Sequence, residues 1–260
     1  MKRFISNRFV LFSFGTIALL MVWYFISLFF DRNGSIFPSP LLTFNRLIIL
    51  LGDPYTYTCL WHTLTRMVIG FLASFAAALV FGVLAGNHPS LYQFFKPLMV
   101  TLKSVPTVAL VFLFIVLFAP KDAPIFVVML ICFPIIYEAI AGGINNVDKQ
   151  TVDAAKIDGA SYLKRVIYIK LPLALPFIIV GMVSSFALSF KIEIMAEVLT
   201  GYTRNGLGSA IQYARTSNPS DMATIFAYAL IAIIIMLIVS LIEEIVKRQM
   251  VKRYLISEQK

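Results

Sequence analysis

The stretch VLFSFGTIALLMVWYFISLFF, residues 10–30, is an apolar run long enough to cross a lipid bilayer. A transmembrane helix needs about 20 consecutive apolar residues. Basic residues precede the run, as they do in a cleavable signal peptide, but the apolar core of a signal peptide has only about 7–15 residues. This run is longer, and it stops at the polar sequence Asp31-Arg32-Asn33-Gly34. We therefore predict a retained membrane span.

The composition of the whole chain agrees with a membrane protein. Of the 260 residues, 60% are hydrophobic and 13% are charged. A soluble domain is about 45–50% apolar and about 25% charged, so this chain has too little polar surface to cover a soluble globule. The composition excludes a soluble enzyme, a disordered regulator and a secreted disulfide scaffold.

Further apolar runs predict an all-α membrane protein that forms one transmembrane domain over residues 1–260. Between the first two spans, apolar residues at helical spacing beside Asn45 and Arg46 predict a short helix in the membrane interface. The six predicted spans cover approximately residues 10–30, 67–84, 105–118, 125–141, 172–190 and 223–246.

The distribution of Lys and Arg predicts the orientation. Six spans place both termini on one side of the membrane. That side, with the second and fourth loops, holds fifteen of the 22 basic residues, and the opposite side holds seven. Because cytoplasmic loops carry the Lys/Arg excess, we predict a multi-pass cell-membrane protein with both termini in the cytoplasm. The net charge of +9 then reflects topology, and we predict no nucleic-acid partner.

The fourth loop, residues 145–171, is far more polar than the runs around it. Asp148 can cap a helix, because its carboxylate can accept from the free backbone N–H groups of the first turn. Gly159 can end that helix in a left-handed turn, and Ser161 can cap a second short helix. From the residues alone, this loop is either a solvated helical hairpin or a docking element for another protein.

The spacing within this loop resembles the EAA loop of binding-protein-dependent ABC transporter permeases. The family pattern is E-A-A, three residues, G, nine residues, then I-x-L-P, and the single departure here is an aspartate at the first position. The matching residues are Asp153, Ala154, Ala155, Gly159, Ile169, Leu171 and Pro172, and the neighbouring Ala160 and Ser161 are also similar to the family's usual sequence.

Shorter motifs extend the resemblance along most of the chain, to the nitrate, sulfonate and taurine branch of these permeases. This branch tends to carry a tryptophan shortly after the fifth span, where this chain has Phe190-Lys191-Ile192-Glu193, so the cargo stays open. The motifs include Phe37-Pro38-Ser39-Pro40, His62-Thr63-Leu64, Val105-Pro106, Ala196-Glu197 and Gly206-Leu207-Gly208.

The resemblance implies a MetI-like permease fold, with six transmembrane helices and a short cytoplasmic coupling helix between spans four and five. It implies a non-enzymatic subunit that forms the path for a small solute and is coupled to a separate ATPase through residues 148–160. A cytoplasmic ABC ATPase dimer would bind ATP and Mg²⁺, since the chain has no G-x-x-x-x-G-K-[ST] phosphate loop of its own. A second permease copy, membrane lipid and an extracytoplasmic solute-binding protein complete the expected partners; whether the second permease is identical or a related chain stays open.

Polar groups in the fifth span are the candidates for the substrate pathway, since ionisable residues at membrane depth are costly and usually functional. Glu193 and Glu197 are four residues apart on one helical face. They could line an outer gate or meet cargo, or they could face water at the interface, with Arg204 as a partner. Serines in spans often only bond to nearby backbone. The pathway candidates are Ser184, Ser185, Ser189, Lys191, Glu193 and Glu197.

Three smaller expectations complete the prediction. Gly82 and Gly86 form a small-xxx-small face that favours close helix packing, and Glu138 is expected to pair with a nearby lysine. Scattered histidines and cysteines predict no metal site and no disulfide framework.

A membrane enzyme would need a catalytic motif, and the sequence contains none that is recognisable. A secondary transporter or channel is the alternative function, but neither gives the charged fourth loop an obvious task.

Overall fold

The computed structural model describes residues 8–30, 36–201 and 205–258. Every regular element in these ranges is helical, which confirms the all-α prediction. A single π-helical turn, Val166–Lys170, leads directly into the α-helix of the fifth span, Leu171–Thr200. The α-helices are α1 (Arg8–Phe30), α2 (Pro40–Leu51), α3 (Pro54–Asn87), α4 (Pro89–Ser104), α5 (Thr107–Leu117), α6 (Ala123–Asn145), α7 (Lys149–Ile157), α8 (Tyr162–Arg165), α9 (Leu171–Thr200), α10 (Leu207–Ser217) and α11 (Met222–Glu258).

Five helical stretches among the described residues are long and apolar enough to cross a membrane: α1, α3, α6, the stretch Tyr162–Thr200 and α11. The structure corrects the predicted third span, residues 105–118. Its helix, α5, has only 11 residues, or about 16 Å, roughly half of a hydrocarbon core. With α4 it forms a pair bent by 95°, and counting that pair as one span brings the total to six.

The bend between α4 and α5 has a local cause in the Val105-Pro106 sequence. Proline has no backbone N–H to donate, and it disfavours the α conformation in the residue before it. Val105 accordingly has extended backbone angles, φ −70° and ψ 127°. The apolar run is therefore divided into two helices that point in different directions.

The predicted interfacial helix between the first two spans is present as α2. Ser39 caps it by accepting a hydrogen bond from the Leu42 backbone N–H, and Pro40 occupies the first turn. Proline is favourable at that position, because the first N–H groups of a helix have no internal partner. The Trp23 indole N–H donates to the Pro38 carbonyl at 3.0 Å and so connects α1 to the start of α2.

The centre of the molecule is the contact between α3 and α6, with α9 packed on the other side of α6. A Cβ atom added to Gly82 would lie 2.9 Å from the Ile140 Cβ, and one added to Gly86 would lie 2.8 Å from the Ile144 Cβ. Such separations are shorter than van der Waals contact, so only glycine permits this approach. The predicted close packing of the Gly82–Gly86 face is confirmed.

Candidate functional site

The fourth loop forms the two capped helices predicted from its sequence. The Asp148 carboxylate accepts from the Gln150 and Thr151 backbone N–H groups at the start of α7, at 3.2 and 3.3 Å. The Ser161 hydroxyl accepts from the Lys164 N–H at the start of α8, at 3.4 Å. Between the two helices, Gly159 has a φ of +81°, in the left-handed region that favours glycine. All three predicted local features are confirmed.

The helix α7 has no buried residue, although one of its side chains is large and apolar. Ile157, its last residue, is 86% exposed, and Leu163 on α8 is 68% exposed. Charged residues flank Ile157 in the chain, since Lys156 precedes it and Asp158 follows it. Apolar side chains with polar residues around them are the arrangement found in protein–protein interfaces, which have an apolar core and a polar rim.

Two polar contacts connect this loop to the end of α3. The Tyr162 hydroxyl lies 3.2 Å from the His88 Nε2 atom, and the Lys170 ammonium donates to the Asn87 side-chain oxygen at 2.9 Å. Beside these contacts is a cavity of about 210 Å³ whose lining includes Asp153. The loop is therefore held against the second span as well as joined to the fourth and fifth.

The predicted coupling residues occupy three consecutive parts of the loop. Asp153, Ala154 and Ala155 lie on α7, Gly159–Ser161 connect α7 to α8, and Ile169–Pro172 run from the π-helical turn into α9. Most of them are exposed or partly exposed, so the structure leaves them accessible. Their role in coupling stays a prediction.

At the opposite end of α3, the structure brings together a buried polar group that we call the carboxylate clasp: Thr63, Arg66, Glu197 and residues 205–208. Glu197 is fully buried, and it accepts from the Thr63 hydroxyl at 2.9 and 3.0 Å and from the Gly208 N–H at 2.9 Å. Arg66 forms an ion pair with it at 3.2 Å and also donates to the Asn205 carbonyl. The Leu207 N–H donates to the Thr63 hydroxyl at 2.8 Å.

The interpretation of Glu193 and Glu197 as water-facing interfacial residues is wrong, because both are 0% exposed. Lys191, the other charged residue predicted near the end of the fifth span, does reach the surface. Packing of α9 against α3 and α10 removes both carboxylates from water, which a single-helix pattern does not reveal. Arg204, the predicted partner, lies outside the described residues.

The three serines of the pathway prediction behave differently from one another. Ser184 donates to the Val180 carbonyl at 2.9 Å and Ser189 to the Phe186 carbonyl at 2.6 Å, as serines in spans often do. Ser185 is buried, with no hydrogen-bond partner for its hydroxyl in the part of the chain that the structure describes. Contact of any of them with cargo stays a prediction.

The expected pairing of Glu138 is confirmed, and its partner is Lys103.

The sequence analysis missed Arg66 as a partner of Glu197 and Asn205 as a partner of Arg66. A signal was nevertheless available, since three motifs that carry the family resemblance meet at the clasp. These are the ones that contain Thr63, Glu197 and Gly206-Leu207-Gly208. A Cβ atom on Gly206 would lie 2.5 Å from a Glu197 carboxylate oxygen, so any other residue there would displace the Glu197 carboxylate.

A family model described as binding-protein-dependent transport system inner membrane component matches residues 78–254. This chain belongs to that family. The matched region begins within α3 and includes the whole fourth loop, α9, α10 and most of α11. The family resemblance stated from the sequence is thereby confirmed.

Individual relatives give the same picture for this permease. It is 27% identical to the taurine transport system permease protein TauC of Escherichia coli (strain K12) over 240 residues, which cover 89% of this chain and 86% of TauC. It is 27% identical to the riboflavin transport system permease protein RibX of Chloroflexus aurantiacus over 238 residues, which cover 90% of this chain and 88% of RibX.

A solved structure supports the fold. The MetNI methionine ABC transporter in inward-facing conformations matches with a TM-score of 0.64 at 16% identity, over 75% of this chain and 96% of that one. The chain is a multi-pass membrane permease subunit of an ABC importer, a family that works with an ATPase and a binding protein.

Proposed function

We propose that this permease is coupled to ATP hydrolysis through residues 148–160, which dock on a separate cytoplasmic ABC ATPase. The observation that carries the proposal is the 86% exposure of Ile157 on a helix with no buried residue. Removing such a side chain from water contributes about 1.5–3 kcal/mol. A partner surface that covers α7 would supply that burial, whereas a merely solvated hairpin has no need of an isoleucine there.

The chemistry of the loop suits a small docking element. Ile157 and Leu163 are apolar anchors, and α7 presents both signs of charge around them, from Lys149, Asp153 and Lys156. Interfaces typically combine a few apolar anchors with a polar rim, and the anchors supply most of the binding energy. Two alanines beside Asp153 keep that face of α7 small, so a partner can approach closely.

The attachment of the loop provides a route from the ATPase to the spans. The His88–Tyr162 and Asn87–Lys170 contacts hold the loop to α3, and the chain itself continues into α9. Because α3 packs tightly on α6 through glycines, a displacement of the docked loop moves these helices together. Alternating access then follows as a shift between two packed arrangements.

The assembly that we propose has two permease copies in the lipid bilayer, an ATPase dimer that binds ATP and Mg²⁺, and an extracytoplasmic solute-binding protein. The excess of Lys and Arg on one side of the predicted topology supports a cytoplasmic location for both termini and α7. The cargo is a small solute, since the relatives named above transport taurine and riboflavin.

The docking proposal is tested in proteoliposomes that contain the permease, its ATPase and its binding protein. Ile157→Asp and Asp153→Arg place new charge on the docking face, and Gly159→Pro forces a φ near −65° where the chain needs +81°. Each should reduce uptake per ATP hydrolysed about tenfold, within the range usual for coupling between two sites. Membrane insertion should be unchanged.

The matched control is Gln93→Ala, an exposed substitution on α4 that lies outside residues 148–160 and leaves the anchors in place. Normal ATP-dependent uptake by Ile157→Asp and Gly159→Pro would refute the docking role. Uptake that needs no ATPase at all would favour the alternative of a secondary transporter or channel.

The orientation is tested by cysteine labelling from one side of the membrane. Both native cysteines, Cys59 and Cys132, are fully buried, so background labelling should be low. Lys156→Cys on α7 should react only with reagent on the cytoplasmic side. Ser217→Cys, at the end of α10, should react only from outside, and the reverse pattern would overturn the proposed orientation.

A further inference from the structure

A further cavity, which we call the interfacial cavity, lies at the start of α3, at the opposite end of that helix from the fourth loop. It has a volume of about 300 Å³, and α2, α3, α10 and α11 all contribute to its wall. Ligand-binding cavities begin at about this size and combine apolar or aromatic walls with a few polar groups. The wall contains one cation, one anion and three aromatic rings: Arg46, Asp221, Tyr55, Tyr213 and Tyr228.

The interfacial cavity lies where two membrane spans begin. Tyr55 is in the first turn of α3, and Asp221 directly precedes α11. Two further aromatic side chains on the same part of α3, Tyr57 and Trp61, are 55% and 68% exposed. Tyrosine and tryptophan are enriched at the boundary between membrane and water. The cavity is therefore at the level of the lipid headgroups.

Arg46 has one donor nitrogen to spare at this cavity. Its Nε donates to the Thr224 hydroxyl at 2.5 Å, and its Nη2 donates to the Asp221 carboxylate at 2.7 Å. Its Nη1 forms no hydrogen bond with the residues that the structure describes, and the side chain is 38% exposed. Arginine N–H groups bind phosphate oxygens well, so the unused nitrogen suits an anionic group of a ligand.

Arg46 also lies at the border between protein and bilayer. Leu42 and Ile49, four residues before it and three after it, share its face of α2 and are 45% and 60% exposed. Thr43 and Leu50, on its other flank, are buried. A lipid whose headgroup is at Arg46 can therefore lay its acyl chains on apolar side chains of the same helix.

We propose that the interfacial cavity binds the headgroup of phosphatidylethanolamine. The phosphate accepts from the Arg46 Nη1, and the ammonium lies against the tyrosine rings and the Asp221 carboxylate, since cations are attracted to the faces of aromatic rings. The two charges of the wall balance each other. A zwitterion keeps the cavity neutral, whereas an anionic lipid would bring a charge without a partner.

The exposed part of the wall favours a primary amine over choline. It includes Ser217 and Asn218, whose side-chain oxygens can accept hydrogen bonds. The ammonium of phosphatidylethanolamine has three N–H groups to donate, and the choline of phosphatidylcholine has none. The proposal depends on the orientation given above only for the leaflet, which is then the outer one, and it does not depend on the docking role of α7.

The bound headgroup would join helices that also form the carboxylate clasp. It lies between Arg46 on α2 and Tyr213 on α10, and α10 begins at Leu207, whose N–H donates to Thr63. Binding should therefore stabilise the folded importer, because a ligand that binds only the folded state raises its melting temperature.

The test is a lipid titration of the complete importer in detergent, with melting temperature as the readout. Dioctanoyl phosphatidylethanolamine should raise the melting temperature at lower concentration than the dioctanoyl forms of phosphatidylglycerol and phosphatidylcholine. Glycerophosphoethanolamine has the same headgroup without acyl chains, so it separates a lipid from a free zwitterion, and it should have little effect. The titration is repeated with the solute-binding protein bound.

Two variants locate the effect. Tyr213→Ala removes a ring that is 69% exposed and whose hydroxyl makes no hydrogen bond within the described part of the chain, so this variant should fold. It should weaken the apparent lipid affinity about three- to fivefold. Arg46→Met should weaken it about tenfold or more, as expected for a hydrogen bond to a charged group. Trp61→Ala, an exposed aromatic residue outside the cavity wall, is the matched control and should bind like the wild type.

Four results would overturn the proposal. Equal affinity for phosphatidylglycerol would show that the cavity does not select a zwitterion, and equal affinity for glycerophosphoethanolamine would assign it to a free solute. Unchanged affinity in both Tyr213→Ala and Arg46→Met would place the lipid elsewhere. Loss of the lipid effect when the solute-binding protein is bound would assign the cavity to that protein. Ile157→Asp should bind the lipid normally, which separates this site from the docking surface.

Discussion

The coupling loop and the carboxylate clasp are both polar regions of a very apolar chain, at opposite ends of α3. In the loop, each cap is satisfied within three residues of its own position, as Asp148 and Ser161 show. In the clasp, Glu197 is satisfied by Thr63 and Arg66, more than 130 residues away in the chain. The loop is exposed and the clasp is buried. Local partners therefore shape a surface that another protein can use, and distant partners hold the spans together.

The comparison predicts its largest effect at the clasp. Arg66→Met leaves the buried Glu197 carboxylate without its cation, and removing one partner of a buried ion pair costs about 3–5 kcal/mol. We expect a much lower melting temperature for the purified permease in detergent. Arg46→Met, which breaks a more exposed ion pair with Asp221, is the matched control and should cost far less. Equal losses for the two variants would contradict the distinction between the regions.

A smaller effect is expected at the loop. Asp148→Ala removes the cap of α7, which should cost about 1 kcal/mol of local helix stability. Because α7 buries no side chain, the melting temperature of the spans should not change. Hydrogen exchange should be faster only in the amides of α7. Lys149→Ala, an exposed neighbour without a capping bond, should leave the exchange unchanged, and a global loss of stability would show that the loop is not independent.

The smallest effect is a pH dependence at the ion pair of Arg46 with Asp221. The two side chains are 2.7 Å apart, and the pair lies just outside the last span. Burial alone raises the pKa of Asp221, but hydrogen bonds from Thr224 and the charge of Arg46 outweigh burial, and the pKa is lowered. A lowered pKa gives stability that is present above the unfolded value and is lost as pH falls through the folded value. Exposed pairs contribute about 0.2–1 kcal/mol.

That dependence is measured as melting temperature between about pH 6 and pH 3, near the usual aspartate pKa. The difference between the wild type and Asp221→Asn should shrink as the solution is acidified. A difference that grows with acidification would have the wrong sign and would contradict the assigned ionic contact. The three predictions thus run from the largest expected cost, at the clasp, through the α7 cap to the Arg46–Asp221 pair.

Local features of the fold were predictable because their causes lie close together in the chain. Asp148, Gly159 and Ser161 each act on backbone within three residues, so their caps and turn follow from residue chemistry alone. The third span shows that the length and apolarity of a run are insufficient to predict a straight membrane-spanning helix. Residues 105–118 have the composition of a span, but Pro106 divides that region from α4 by a 95° bend.

The amino-acid sequence by itself determined the membrane class, the helical content, the caps of the coupling loop and the family, since each depends on composition or on short spacing. The tertiary structure alone decided that Glu193 and Glu197 are buried and that only Glu197 is paired with Arg66. Helical periodicity places two carboxylates on one face of α9. Periodicity does not say what covers that face. The packing of α3 and α10 against α9 covers it and buries the two carboxylates.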